Sequence, residues 1–316
     1  MKQRLTTADL ETPGIQRIKR GRGFEYRDAQ RGTLDKATKE RIRALVIPPA
    51  WREVWISPLA TDHIQAVGTD DAERRQYLYH PDYLKQGSRK KFRRARKLGH
   101  RINRLRRVLR QELRQGDDDQ LRALALAVLL VDYAHIRIGN RAYAKNHGTF
   151  GVTTLRCEHL SIQDGTVILD FPGKSGQRWH LKIKDQELAA QLSRLAQGSP
   201  RESLIAYQGK EGRTPLSPDE VNKHIKDLAG RRFSAKDFRT WQGTMTAART
   251  LRSADSDDEA AWAKATQQVA SVLNNTVAVA ASAYIDPGLR KLHRQGSLQS
   301  KHRLTDAWLA QALSGH

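Results

Sequence analysis

The chain has 316 residues, a length that suits one large domain or two ordinary ones. It carries 56 Lys and Arg against 34 Asp and Glu, and the net charge of +22 predicts an anionic partner, either nucleic acid or a membrane surface. The longest apolar run, residues 123–131, is too short to cross a bilayer, and the single cysteine, Cys157, excludes an intrachain disulfide framework and a cysteine-rich zinc site.

The N-terminal part of the chain is predicted to be rich in β-structure. Residues 1–20 are polar and suggest a loosely ordered lead-in. The segments GFEYRD, EVWISP, HIQAVGTD and RQYLYH are short, aromatic or β-branched, and separated by Pro, Gly and Asp, a pattern typical of strands and turns. We therefore expect residues 1–85 to form a small β-rich domain, with HPDYLKQGS at its end as the linker.

A strongly basic segment follows the predicted linker. Residues 89–110 contain twelve Lys or Arg, with almost no acidic residue among them. Apolar residues recur at a helical spacing, which predicts a helix with one buried face and one cationic face. The apolar positions are Phe92, Leu98, Ile102, Leu105 and Leu109. A solvated charged face is the alternative, but the missing acidic balance favours contact with phosphates.

The remainder of the chain, 86–316, is predicted to be a mainly helical domain with a short β-sheet. FGVTTL, HLSIQ, TVILDF and RWHLKIK are the strand candidates, and PGKSG between the last two predicts a hairpin turn. Asp185 and Ser217 are candidate helix N-caps. Helices are predicted over 117–135, 185–197, 217–228, 235–252, 257–273 and 303–314. The fold class expected for the whole chain is α+β.

Five residues in separate local contexts form a set that is suited to phosphodiester chemistry. They are Arg137 in HIRIGN, Lys174 in FPGKSG, Arg239 in KDFRTW, and Asn275 and Tyr284 at the two ends of NTVAVAASAY. Tyr284 is the candidate nucleophile, although a tyrosine in an Ala-rich helical stretch is more often a packing residue. A phenol is a weak nucleophile at neutral pH unless nearby cations favour the phenolate.

The four partners of the tyrosine each have a simpler alternative role. Arg137 suits a structural ion pair, and Arg239 suits stacking on Phe238 and Trp241. If both arginines face one phosphate, their guanidinium groups bind its oxygens and stabilise a pentacoordinate transition state. Lys174 is either an exposed turn residue or a general acid, and Asn275 is either a helix cap or a donor to a phosphate oxygen.

Other chemistries find little support in the residues. The chain has no Walker-type phosphate loop, which gives no reason to expect ATP use. Its eleven His show no HExxH or similar metal-binding spacing, and Cys157 lacks a catalytic context. We therefore expect no cofactor and no metal.

With these residues in this order, the chain resembles the poxvirus-like bacterial type IB DNA topoisomerases. The resemblance extends from about residue 20 to about residue 290. It is carried in the N-terminal half by YRDAQRG, RIRALVIPPAWREVWISP and HIQAVGTDDAERRQYLYH. In the C-terminal half it is carried by RIGN, GKSG, KDFRTW and SAYIDP.

The resemblance implies a C-shaped clamp around double-stranded DNA and a role for each candidate residue. Tyr284 matches the nucleophile that forms a 3′-phosphotyrosyl bond, Arg137 and Arg239 match phosphate-binding arginines, and Lys174 matches the general acid. Asn275 stands where the poxvirus enzymes have His, which removes a titratable group. The implied DNA contacts are Gln76, Tyr77, Tyr79 and Lys236.

The implied activity is relaxation of positive and negative supercoils by nicking, strand rotation and religation, without ATP or metal. A monomer in the cytoplasm, associated with the nucleoid and without a membrane partner, is expected. The polar N-terminus has no signal-peptide core, and one cysteine suits a reducing compartment.

Two other functions remain open at the level of sequence. A tyrosine recombinase would use nearly the same residue set, but it usually has His three residues before the second arginine, where this chain has Lys236. A non-enzymatic DNA-binding protein would explain the net charge and the basic helix, but not the five matching residues.

Overall fold

The computed structural model describes residues 4–114, 118–254, 259–299 and 302–315. The chain divides into two compact units, Met1–Lys90 and Lys91–His316. In the described ranges, no helix is both long enough and apolar enough to cross a membrane. How the two units are arranged as a clamp stays a prediction.

The first unit contains an antiparallel five-stranded sheet in the order β2-β1-β3-β4-β5. The strands are β1 (Ile15–Arg20), β2 (Gly23–Arg27), β3 (Arg52–Ile56), β4 (Ile64–Thr69) and β5 (Arg75–Tyr79), and helix α1 (Lys36–Ala44) lies between β2 and β3 in the chain. The four predicted strand segments are confirmed. The prediction of a loosely ordered lead-in is wrong for β1, which pairs with both β2 and β3.

A small apolar core supports this sheet. Ile15, Ile42, Ile56 and Ala66 are buried together, so one residue from α1 packs against residues from β1, β3 and β4. Asp35 caps α1 by accepting a hydrogen bond from the Thr38 amide at 2.7 Å. In the outer strand β5, every second residue is exposed to solvent.

Helix α2 (Pro81–Arg114) begins where a linker was predicted. The linker prediction is wrong because Pro81 occupies the first helical turn, where its missing N–H costs no hydrogen bond, and Asp82 is favourable beside the positive end of the helix dipole. The division between the two units falls inside this helix. The predicted buried face is confirmed, because Phe92, Leu98, Ile102, Leu105 and Leu109 are all buried.

The second unit is mainly helical. Its helices are α3 (Asp119–Tyr133), α4 (Arg141–His147), α5 (Gln186–Leu195), α6 (Pro218–Ala229), α7 (Ala235–Arg252), α8 (Glu259–Leu273), α9 (Val277–Ala283), α10 (Gly288–Arg294) and α11 (Asp306–Ser314). The predicted helix starts at 117 and 257 lie outside the described residues. Asp185 and Ser217 cap α5 and α6 as predicted, by accepting from the Leu188 and Glu220 amides.

Two small antiparallel sheets complete this unit. One has the order β6-β7-β8, formed by Leu160–Gln163, Thr166–Pro172 and Arg178–Lys184, whereas the strand predicted at FGVTTL is wrong because Val152–Thr154 form a 3₁₀ turn. The other pairs β9 (Ala206–Gly209) with β10 (Gly212–Pro215). The predicted hairpin turn is confirmed, because β7 and β8 pair along their length and are joined by a short 3₁₀ turn at Lys174–Gly176. The α+β fold class is therefore correct.

The core of the second unit is built around α3 and α7. Residues 123 and 125–132 of α3 are buried, which explains its nearly continuous apolar sequence. Arg106 of α2 reaches into this region and pairs with Asp132 of α3 at 2.6 Å and Asp306 of α11 at 2.9 Å. Asp306 also accepts from the Trp241 indole at 2.7 Å, so one ionic network joins α2, α3, α7 and α11.

Other ion pairs of α2 correct one expectation from the sequence. Several of its arginines are balanced by acids that are distant in sequence, including Arg94 by Asp237 and Arg110 by Asp185. The sequence has no acidic residues near these arginines, but the fold supplies them. Less of the positive charge of α2 is therefore free than the sequence predicts.

Candidate active site

A cavity of about 500 Å³ in the second unit brings the candidate residues together. Arg137, Lys174, Arg239 and Tyr284 line it, together with Lys236. Asn275 is not part of the lining, but its side-chain oxygen accepts a hydrogen bond from the Arg137 guanidinium at 2.8 Å. All five residues of the predicted set are therefore connected to one site.

Tyr284 lies at the C-terminal end of the short helix α9. Its backbone N–H donates to the Ala280 carbonyl at 3.1 Å, which closes the last turn. Its carbonyl accepts from the Thr244 hydroxyl at 3.1 Å, and the same hydroxyl accepts from the Asp286 amide at 3.0 Å. Thr244 thus holds the backbone on both sides of the tyrosine against α7.

Gly243 lets the tyrosine backbone approach α7 closely. A Cβ added at this position would lie 2.8 Å from both the Cβ and the carbonyl oxygen of Tyr284. Real Cβ atoms do not tolerate such distances, so any larger residue must displace the Tyr284 backbone. The position of the phenol therefore depends on this glycine.

We expect Gly243→Ala to lower the unfolding free energy by about 1–3 kcal/mol, the usual range for overpacking a core. Because the displaced group is Tyr284, DNA cleavage by this residue, which the resemblance implies, should slow even where the protein is fully folded, while DNA affinity is retained. Thermal unfolding and single-turnover cleavage measure the two effects. Gly87→Ala is the control, since Gly87 also lies in a helix but has open space at its Cβ position. A stable variant that cleaves at the normal rate would contradict this role for Gly243.

Arg239 is a buried cation in direct contact with the tyrosine. Its side chain, on α7, is part of a residue that is only 4% exposed. The guanidinium donates to the His135 carbonyl and, at 2.8 Å, to the Leu273 carbonyl, and its carbon lies 5.3 Å from the centre of the Tyr284 ring. It therefore stacks on the candidate nucleophile rather than on Phe238 or Trp241.

The charge of Arg239 is not neutralised within the site. Its buried Nε has no hydrogen-bond partner among the described residues, and no carboxylate from them contacts either Arg239 or Arg137. Burial, and then the charge of Arg137, lower the pKa of Arg239 to about 10. The guanidinium is still cationic at neutral pH, so the site is prepared for an anion.

Arg137 projects from an irregular segment between α3 and α4. Two residues there have left-handed backbone angles, with φ of 56° at His135 and 99° at Gly139, where glycine is favoured. The Arg137 carbonyl accepts from the Val152 amide at 2.9 Å. Gly151 permits this contact, because a Cβ there would lie 2.5 Å from the same carbonyl oxygen.

Asn275 orients Arg137 and does not cap the tyrosine helix. Its NH₂ group donates to the Leu273 carbonyl at 3.1 Å, which leaves its oxygen for Arg137. The cap of α9 is instead Thr276, whose hydroxyl accepts from the Val279 amide. The capping alternative considered for Asn275 is therefore wrong.

Lys174 is exposed in the turn between β7 and β8. Within the described part of the chain it makes no hydrogen bond and no ion pair. Its ammonium is therefore available to a ligand in the cavity that it helps to line.

Lys91 is a lining residue that the sequence did not single out. It lies on α2, and its ammonium donates to the carbonyl of Ala283, the residue before Tyr284, at 2.8 Å. Burial lowers its pKa. Arg96, further along α2, binds both oxygens of Asp286 at 2.7 Å. Nothing in the basic run distinguishes these two cations, because their partners are nearly two hundred residues away.

The predicted N-terminal contacts form a separate group on β5 in the first unit. Tyr77 and Tyr79 are 38% and 36% exposed, and their rings stack at 6.0 Å. Tyr83 of α2 extends the stack at 5.4 Å from Tyr79, an aromatic that the sequence interpretation missed because it lay in the predicted linker. Gln76 donates to Asp70 at 2.8 Å.

Comparison with known proteins gives matches along most of the chain. A family model described as "Eukaryotic DNA topoisomerase I, catalytic core" matches residues 81–305. A second model, described as "Bacterial DNA topoisomerase IB, N-terminal domain", matches residues 23–70.

Individual relatives agree with these models. DNA topoisomerase 1B of Acanthamoeba polyphaga mimivirus is 31% identical over 235 residues, which are 72% of this chain and 69% of that protein. DNA topoisomerase I of Monkeypox virus is 24% identical, with 51% of this chain and 52% of that protein covered. The chain thus spans about half the length of the monkeypox relative, and it spans 18% of DNA topoisomerase 1 from Mycosarcoma maydis, at 28% identity over 52% of this chain.

Among solved structures, the XerH site-specific recombinase bound to a palindromic difH substrate is similar over 72% of this chain and 58% of that one. Its sequence identity is 13% and its TM-score is 0.40. The family assignment follows from the sequence matches. A catalytic-core model covers more than half of the chain, and a relative above 30% identity is covered over more than two thirds of both lengths. This chain belongs to the type IB DNA topoisomerase family.

Proposed function

We propose that this chain relaxes supercoiled duplex DNA by cutting one strand through a covalent bond to Tyr284, allowing rotation, and resealing the strand without ATP or metal. The observation that carries this proposal is the contact between Tyr284 and Arg239, a buried cation whose Nε has no partner, and whose charge meets no carboxylate, among the described residues. A phosphodiester is the anion that would complete this arrangement and place phosphorus beside the phenol.

In the proposed step the Tyr284 oxygen attacks the phosphorus and releases its proton to solvent, while the bond to the 5′ oxygen breaks and that oxygen takes up a proton. The strand keeps a 3′-phosphotyrosyl end and gains a free 5′ hydroxyl. One diester replaces another, so the step is nearly balanced in free energy and needs no ATP. Religation is the same step in reverse, with the 5′ hydroxyl as the nucleophile.

The two arginines would bind the non-bridging oxygens of the phosphate. Both guanidiniums are already oriented by neutral acceptors, Arg239 by two backbone carbonyls and Arg137 by Asn275. Oriented donors stabilise developing charge without reorganising during the reaction. Asn275 would act mainly by aligning Arg137, a role that does not require a titratable group.

Lys174 is proposed as the general acid that protonates the departing 5′ oxygen. We expect Lys174→Ala to slow cleavage by about 10² to 10⁴, the usual contribution of a general acid. A substrate with a 5′ thiolate leaving group should restore the rate, because sulfur departs without a proton. Single-turnover cleavage of both substrates checks this assignment. Lys184→Ala, on the same hairpin, is the control, and equal slowing with oxygen and sulfur leaving groups would contradict it.

The partner proposed for this chain is double-stranded DNA. The exposed stack of Tyr77 and Tyr79 would contact a groove, and Lys236 would reach the backbone near the cut, since it lines the cavity. We propose 1–85 as the DNA-clamp domain and 86–316 as the catalytic domain. We further propose a monomer that acts in the cytoplasm at the nucleoid.

Relaxation of supercoiled plasmid in EDTA without ATP tests the function, with wild type beside Tyr284→Phe. Tyr207→Phe, which removes a phenol oxygen from β9, is the matched control. Relaxation by wild type and the control, but not by Tyr284→Phe, is expected. If no protein relaxes the plasmid although all bind it, a recombinase or a plain DNA-binding protein becomes the better account.

A further inference from the structure

A second cationic cavity lies outside the catalytic site. It has a volume of about 480 Å³ and is formed by α2 and the segment between α6 and α7. We call it the α2–α7 groove. Its lining residues are Lys97, Arg101, Gly230, Arg231, Arg232 and Phe233.

The groove concentrates positive charge without an acidic counterpart. Four of its lining residues are cations, all four are exposed, and no carboxylate of the described ranges lines it. The side chains of Lys97, Arg231 and Arg232 form no hydrogen bond or ion pair in the described part of the chain. Their neighbours on α2 behave differently, since Arg94 and Arg96 are each paired with a carboxylate.

Arg101 is held in place within the groove. It donates to the Ala229 carbonyl at 2.6 Å, and its guanidinium lies 5.7 Å from the centre of the Phe233 ring. Gly230 has φ of 115°, a conformation that favours glycine, and a Cβ there would come within 3.3 Å of Arg101. Since only one donor nitrogen of Arg101 is used, the others remain free for an anion.

The groove is close to the catalytic cavity along two elements. Lys91 of α2 lines the cavity, and Lys97 and Arg101 follow it on the same helix, about 9 to 15 Å further along the axis. Ala235 and Lys236, which also line the cavity, come directly after the segment that carries Arg231 and Arg232. An axial distance of this size corresponds to about three to four nucleotides along a DNA strand.

We propose that the α2–α7 groove binds backbone phosphates of the same duplex that occupies the catalytic cavity, a few base pairs away from the cut. This inference rests on the proposed function. The groove would take part in holding the duplex but not in the chemistry, because none of its lining residues lines the catalytic cavity.

The test is DNA affinity as a function of salt and duplex length, measured in a Tyr284→Phe background so that no cleavage occurs. The groove variant combines Lys97→Gln, Arg231→Gln and Arg232→Gln. The control variant combines Arg201→Gln, Lys210→Gln and Lys264→Gln, which removes three exposed charges from the same unit. Inorganic tripolyphosphate serves as a competitor that represents a free polyanion.

We expect the groove variant to lower the slope of log affinity against log salt by about 2 to 3, because each phosphate contact contributes about 0.9. The DNA affinity of the protein with the unaltered groove should rise with duplex length until the duplex is long enough to fill the groove. The DNA affinity of the groove variant should not show this rise. With the Tyr284 hydroxyl restored, the groove variant should cleave saturating DNA at the wild-type rate.

Three results would overturn the proposal. The first is an equal change of the salt slope in the control variant. The second is a loss of DNA affinity in the groove variant that does not depend on duplex length. The third is binding of tripolyphosphate to the groove that is equally strong when long DNA is already bound. A failure of plasmid relaxation, by contrast, would remove the proposed function and leave these binding results unchanged.

Discussion

Tyr284→Phe should abolish the covalent complex and reduce relaxation by roughly 10⁶-fold, the size of effect seen when a covalent nucleophile is removed from an enzyme. The substitution removes only the phenol oxygen. The ring remains to pack under Arg239, whose guanidinium carbon lies 5.3 Å from its centre. Folding and DNA affinity should therefore be close to those of the wild type.

Denaturing gels with end-labelled DNA measure the covalent complex, and filter binding measures affinity. Tyr207→Phe should behave as the wild type in both. A covalent complex that persists in Tyr284→Phe would place the nucleophile elsewhere, in spite of the cations around Tyr284.

Arg239→Lys should slow cleavage by about 10² to 10³, the cost of losing one oriented donor to a developing oxyanion. Lysine keeps the charge but replaces the planar fork with a single ammonium. It cannot donate at once to the His135 carbonyl, the Leu273 carbonyl and a phosphate in the way that the guanidinium does. The loss should appear in the single-turnover rate at saturating DNA.

Arg249→Lys is the matched control for this substitution, because Arg249 lies on the same helix and is exposed. Thermal unfolding of both variants separates a catalytic effect from a general loss of stability. If Arg239→Lys cleaves at the wild-type rate, Arg239 holds the backbone around the site and does not stabilise the transition state.

The sequence predicted the elements whose periodicity is strong and local. The apolar positions of α2 and the caps Asp185 and Ser217 could be predicted because each depends on residues within a few turns. Strand β1 was missed because IQRIKR is mostly polar, and its pairing with β2 and β3 is a tertiary property. The start of α2 has the composition of a linker, but Pro81 lies in the first helical turn, where it does not break the helix, and composition alone does not reveal this.

The candidate site was predictable as a set of residues but not as an arrangement. The residue types and the resemblance indicate the five residues; four of them line one cavity, and Asn275 joins it through its hydrogen bond with Arg137. Their supports could not be found in this way. Gly243 and Thr244 hold the Tyr284 backbone, and Lys91 reaches the carbonyl of Ala283, through contacts between residues that are far apart in the chain.

The most direct test of the central claim is to identify the amino acid that becomes bonded to DNA. The wild-type protein would be incubated with duplex DNA in EDTA without ATP, denatured, and digested with protease and nuclease before mass spectrometry. We predict a nucleotide attached through its 3′ phosphate to the peptide that contains Tyr284. Attachment to another residue, attachment through a 5′ phosphate, or an adduct that forms only after a divalent metal is added would contradict the account.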